Sequence, residues 1–250
     1  MAPQQQPSNQ AVQQQQARQA ALTALLATAM LKIWPLIDLS DLKGSLPRYE
    51  AAVTALVHKY GQSSAVLAAR FYQQERAAAG IAGRFLPEPA NPAPLGQVQA
   101  SIGWATKGLW SQEPEQPAAK ILTNGVAQKL VVDTGRNTLI AAIEADKHAR
   151  GWARQARPDA CSFCSLLSTR GAVYRSEQTA GFEAHNDCHC IPVPVFADHY
   201  EPPAYVRQWE QIYRDSTRGK SGAEARNAFR VALDQHRNPS SAPAPEPALT

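Results

Sequence analysis

A mainly α fold with a small α+β domain towards its C-terminal end is predicted for this 250-residue chain, on three observations. Apolar residues recur at helical spacing through most of the first 149 positions. Prolines, nineteen in all, cluster at the boundaries of these stretches. All four cysteines fall in one late segment, residues 158–196, where the helical period gives way to short apolar runs.

Residues 1–17 (MAPQQQPSNQAVQQQQA) are glutamine-rich and carry no charged side chain. So polar a segment buries too little to order itself, and a disordered tail is expected. A helical N-terminal region then spans 18–149. Its first run, residues 20–37, lacks a basic lead beyond Arg18, is interrupted by Lys32 and ends at Pro35. That pattern is poor for a signal peptide and short for a membrane span of about twenty apolar residues. A buried or partner-facing helix is expected, with no membrane role. Tyr49, Val53, Leu56, Val57 and Tyr60 mark the next helix, which Gly61 is placed to end. Gln62–Ser64 can start another, running through Leu67, Phe71 and Tyr72 towards Gly80. Residues 85–94 (FLPEPANPAP) hold four prolines and must be a linker or an extended arm laid across a neighbour. A helix over 96–110 would turn Val98, Ile102, Ala105 and Leu109 inward, with Trp104 and Trp110 as packing residues. The longest stripe, residues 118–148, carries Leu122, Val126, Leu130, Leu139 and Ile143. Interior glycine costs about 1 kcal/mol relative to alanine, so a bend near Gly135 is expected.

The cysteine segment carries the chemistry. Cys161 and Cys164 form a C-x-x-C pair, followed by His185, Cys188 and Cys190 in H-x-x-C-x-C. Two sulfurs on a tight turn converge on one point, and alternation along an extended segment puts Cys188 and Cys190 on one side. Two such clusters about twenty residues apart are the signature of a tetrahedral zinc site. Five candidate ligands compete for four positions, and His189 alternates away towards solvent. Two disulfides are the alternative by parity, although Cys188 and Cys190 lie too close to bridge each other comfortably. A redox C-x-x-C would want a βαβ pattern, which is lacking. Short strands are expected at 151–155, at 172–174 and from Ile191 to Phe196, with a helical turn at Leu166–Leu167 between them. The fold class is therefore mainly α with a small zinc-stabilised α+β domain, residues 150–200, having too little core to stand without its ion or its helical neighbour. Residues 201–238 read as two helices, the first with Tyr205, Trp209, Ile212 and Tyr213, the second with Phe229 and Leu233. The proline-rich residues 239–250 read as a second disordered tail.

The run C-S-F-C, G-x-V-Y, A-G-F-x-A-H-x-x-C-x-C and a short apolar strand resembles MuF-like head morphogenesis proteins of tailed phages, above all those of actinobacteriophages. The likeness is specific between residues 151 and 196. It implies a minor capsid protein inside the virion, present in host cytoplasm during assembly, near the portal and packaged DNA. Portal, major capsid or scaffold protein would be its partner. Some such proteins carry the label capsid maturation protease. No G-x-S-x-G, H-E-x-x-H or other active-site motif supports that label, and no small-molecule substrate is indicated. The net charge of +4 is too mild for a dedicated nucleic-acid protein. Arg150, Arg154, Arg157, Arg170 and Arg175 nevertheless surround the cysteines and, on one face, could hold phosphates without reading bases.

Overall fold

Two long helices, α2 (Leu42–Ala78) and α4 (Gln116–Ala145), run in the same direction and cross at the centre of the molecule. The computed structural model describes residues 9–174, 184, 186, 188–198 and 200–238. In chain order the elements are α1 (Asn9–Ile33), α2, α3 (Leu95–Ala105), α4, β1 (Gly151–Gln155), α5 (Ser162–Ser168), β2 (Ile191–Val195), α6 (Ala204–Ser216) and α7 (Gly222–Arg237). Of these, α1, α3, β1 and β2 pack on one or both of the long helices, while α5, α6 and α7 pack on one another, α5 also on β1. Helix makes up 68% of the structure and strand 5%, so the chain is mainly α.

The crossing explains why two expected helix breaks do not occur. Gly61 does not end α2, and Gly135 does not bend α4. A Cβ on Gly135 would stand 2.5 Å from Ser64 Oγ and 3.2 Å from the Ser64 carbonyl oxygen. One on Gly61 would stand 3.2 Å from Thr134 Oγ1 and from Pro92 Cβ. Both glycines are there because the helices approach backbone to backbone, and the propensity cost is outweighed by what the approach buries. Ala65 and Ala68 on α2 and Ala142 on α4 extend this small-residue seam. The arm at 85–94 crosses it as expected. Ala90 N–H donates to Thr138 Oγ1 at 3.0 Å, His58 Nε2 meets the Ala93 carbonyl at 3.1 Å, and Phe85 packs on Tyr72.

Helix α1 corrects the reading of the first seventeen residues as a disordered tail. It starts at Asn9, and Val12, Gln15 and Gln16 are buried. Glutamine is a good helix former, and here its amides find partners. Gln16 Nε2 donates to the Gln155 carbonyl at 3.1 Å, and Gln19 Nε2 to Ser64 Oγ at 3.0 Å. Polarity counted along the chain cannot foresee those tertiary acceptors. Residues 1–8 and 239–250 of the expected tails lie outside the described residues. The helical stretch Asn9–Leu36 is long and apolar enough to cross a membrane by length and composition. Its bonded glutamines suit a helix packed on α2.

Trp104 and Trp110 are not packing residues. They are 59% and 58% exposed, on the outer side of a segment whose Val98, Ile102, Ala105 and Leu109 face inward as expected. The segment also changes at Thr106, from α3 to a 3-10 turn over Lys107–Trp110.

β1 and β2 form a two-stranded antiparallel ribbon with Ala153 opposite Val193. The Trp152 N–H points to the Tyr174 carbonyl, away from β2. Pro192 and Pro194 stand opposite Arg154 and Trp152, so they remove donors the ladder does not use. Of the strand expected at 172–174, a single bridge at Tyr174 forms, its ring stacked on Trp152 at 4.3 Å. Trp152, Ile191, Val193 and Phe196 share a core with Tyr72, Leu139 and Ile143, so residues on either side of 149/150 pack as one. A buried network closes the same end. Arg76 donates to Asp146 at 2.8 Å and to the Gly83 carbonyl at 2.7 Å, and Tyr72 donates to Asp146 at 3.1 Å.

Candidate metal centre

Three of the five expected ligands meet. The sulfurs of Cys164, Cys188 and Cys190 all lie within 4.8 Å of one another, and all three residues are buried. Local structure puts them there. Cys161 caps α5, its sulfur accepting the Cys164 N–H at 3.5 Å, so the C-x-x-C turn directs Cys164 inward while Cys161 stays exposed. Cys188 and Cys190 come from the irregular segment leading into β2. Because residues 188–190 are not strand, alternation does not apply to them. His189, expected to face solvent, is half-buried and lines the same cavity of 320 Å³ as all four cysteines. His185 lies outside the described residues. The four cysteines are free thiols, and Cys164 and Cys188 stand 3.5 Å apart, sulfur to sulfur.

Arg136 was not foreseen. It is 2% exposed, and it reaches from α4 to the loop that carries the thiols. Its Nη2 donates to the Cys188 carbonyl at 2.6 Å and its Nε to the Cys190 carbonyl at 3.0 Å, while Nη1 pairs with Asp133 at 2.6 Å. One planar guanidinium thus fixes the backbone of both cysteines. A lone arginine three residues after an aspartate, inside an otherwise apolar stripe, was the available signal. Gly125 allows the same loop to lie close on α4, since a Cβ there would stand 3.2 Å from Asn186 Cβ.

Electrostatics favour a thiolate at Cys188. Hydrogen bonds from Cys164 and Cys190 hold the Cys188 thiol far below its ordinary range, and Arg136 adds to the effect. The bond to Cys188 pushes Cys164 up. Contact with Cys164 lowers Cys190, but contact with Cys188 and burial outweigh it and raise the group to about 12. Within this coupled set the negative charge is favoured at Cys188 and disfavoured at Cys164 and Cys190. A tetrahedral zinc bound at about 2.3 Å separates its sulfurs by about 3.8 Å, a spacing these residues can meet. Cys161 and His189, both lining the cavity, could supply a fourth ligand.

The five arginines do not form one face. Arg154, expected to bind nucleic acid, is 3% exposed and acts on Cys190 as a neighbouring positive charge. It is buried because both faces of β1 are covered, which overrides strand alternation. Arg150 is paired with Asp198, and Arg157 makes two bonds to Asp159. Arg170 is exposed beside a different cleft, and Arg175 lies outside the described residues.

The sequence matches the family described as VG15 protein over residues 6–216, most of its length, and the chain belongs to that viral family. No curated protein and no solved structure matches it.

Proposed function

We propose, taking membership of a viral family as premise, that this chain is a MuF-like minor head protein of a phage, with one zinc ion locking its C-terminal unit. It acts in head assembly beside the portal, against portal, coat or scaffold protein, inside the head and close to packaged DNA. The observation that carries the structural role is the burial of the three thiols behind Arg136. A sulfur-rich centre whose fourth position is taken by Cys161 or His189 suits a structural ion, whereas a catalytic zinc keeps a position open for water. The C-S-F-C and A-H-x-x-C-x-C motifs support the head-protein reading.

Phage carrying Cys164→Ser, compared with wild type, tests both parts. Wild-type protein should contain about one zinc per chain and be recovered in purified heads. The variant should lose zinc and be depleted from heads, with fewer infectious particles. A wild-type protein without metal would overturn the zinc reading, and absence from purified heads would overturn the head assignment. Cleavage of coat or scaffold protein by the purified chain, abolished by one conservative substitution that leaves the fold intact, would make it a protease instead.

A further inference from the structure

On the side of α5 away from the thiols, the surface opens into a cleft of 630 Å³ between α5, α6 and α7. Arg170, Arg214, Lys220 and Arg226 line it, against a single carboxylate, Glu210. All four cations are exposed. Their neighbours on α6 and α7 are committed elsewhere: Arg207 to Glu201, Arg218 to Asp215 and Arg230 to Asp234. Arg237 donates to the carbonyls of Ala160 and Pro158. Among the described residues, the four cleft cations have no ion-pair partner. Positive charge left over from pairing is thus concentrated in one concavity, where low-dielectric walls focus its field. The N-terminus of α7 opens into the same place. Ser221 and Gly222 line the cleft, and the Ser221 side chain makes no capping bond, so the first-turn N–H groups keep donors for an anion.

We propose that this cleft seats the phosphodiester backbone of a nucleic acid, without reading its sequence. The choice of a backbone over a single phosphate follows from the exposure of the cations. An isolated anion gains little from charges screened by water. A duplex offers one charge per about 1.7 Å of its axis and releases counterions at every phosphate neutralised. Contacts with phosphates position a duplex but carry no sequence information, so such binding does not discriminate bases. The inference deepens the head-protein reading by naming a contact with the genome, and its test in solution fails or succeeds independently of head assembly.

Full-length protein is titrated into a fluorescein-labelled duplex of about 30 base pairs and arbitrary sequence, with anisotropy read at several salt concentrations. Two triple variants are compared: R214Q/K220Q/R226Q in the cleft, and R207Q/R218Q/R230Q, which removes equal charge from the same helices outside it. All six residues are exposed, and circular dichroism checks that both variants fold as wild type. The cleft variant should bind about tenfold or more weakly at low salt, with the slope of log K against log salt reduced by about 2–3. The other variant should change by less than about threefold. Equal losses in both would reduce the effect to general attraction and overturn the proposal, as would a wild-type protein that does not bind the duplex. In a second arm, inorganic phosphate is compared with chloride at matched ionic strength by thermal shift. Stabilisation by phosphate, lost in the cleft variant and without duplex binding, would assign the cleft to a free anion and overturn the nucleic acid.

Discussion

The crossing of α2 on α4 and the thiol-bearing unit beside it are held by opposite means, though both hang on three consecutive residues. Thr134 meets Gly61, Gly135 meets Ser64, and Arg136 turns away to grip the Cys188 and Cys190 carbonyls. Successive helical residues point about 100° apart, so one turn of α4 serves two regions. The crossing is made of small side chains, and its strength is close packing over a long seam. The thiol unit has a ribbon five residues long, a small apolar cluster of Ala156, Val206, Trp209, Phe229 and Leu233, and a set of buried polar groups that must all be satisfied. The first region therefore tolerates loss of contacts by degrees. The second fails when one partner is withdrawn.

The largest expected effect breaks the second region alone. Chelation, or Cys190→Ser, should remove about one zinc per chain and abolish the near-ultraviolet signal of the buried Trp209. Helical far-ultraviolet signal should persist, because α1–α4 keep their own core around Tyr49, Val53 and Leu130. Complete loss of helix would show the two regions to be one cooperative unit.

Arg136→Met comes next, because it strands the buried Cys188 and Cys190 carbonyls at once, while Asp133 keeps Lys129 as a partner. The cost should be about 3–5 kcal/mol by chemical denaturation, with lowered zinc affinity. A cost below about 1 kcal/mol would mean that the thiol loop stands without α4.

A pH experiment sharpens the contrast from the helical side. Glu75 on α2 is 2% exposed, and burial pushes its carboxyl up to about 7. Between its ordinary value of 4.5 and about 7 the folded chain keeps a proton that the unfolded chain has lost, so stability falls as pH rises through that window. Glu75→Gln should remove this fall, adding about 3 kcal/mol at pH 8 and little at pH 4. Equal effects at both pH values would rule out burial as the cause. Asp146 runs the other way. Desolvation would raise it, but bonds from the His148 N–H, Arg76 and Tyr72 hold it below its ordinary 3.8, so its support is lost only as pH falls through that lowered value.

The smallest effects test the seam. Gly135→Ala should destabilise by about 2 kcal/mol, since the new Cβ meets Ser64 at 2.5 Å. Gly103→Ala in α3 faces open space and should stabilise by up to about 1 kcal/mol. The same sign for both, measured by thermal denaturation, would mean that the helices can move apart at no cost.

The sequence by itself determined the helical stripes, the proline-rich arm, the two short strands and the gathering of cysteines, because each is written in local spacing. Val98, Ile102 and Leu109 turn inward as their period requires, and the gap in C-x-x-C is enough to direct Cys164 towards Cys188 and Cys190. Only the tertiary structure decided the rest. Gly61 and Gly135 look like breaks until another helix lies against them. Gln16 reads as part of a disordered tail until the Gln155 carbonyl accepts its bond. Arg154 reads as surface until both faces of its strand are covered. Arg136 stands out in its apolar stripe, but only the fold supplies the carbonyls it meets more than fifty residues later. In each case the deciding partner is distant in sequence, and a polar or flexible residue takes its meaning from the group it meets rather than from its neighbours along the chain.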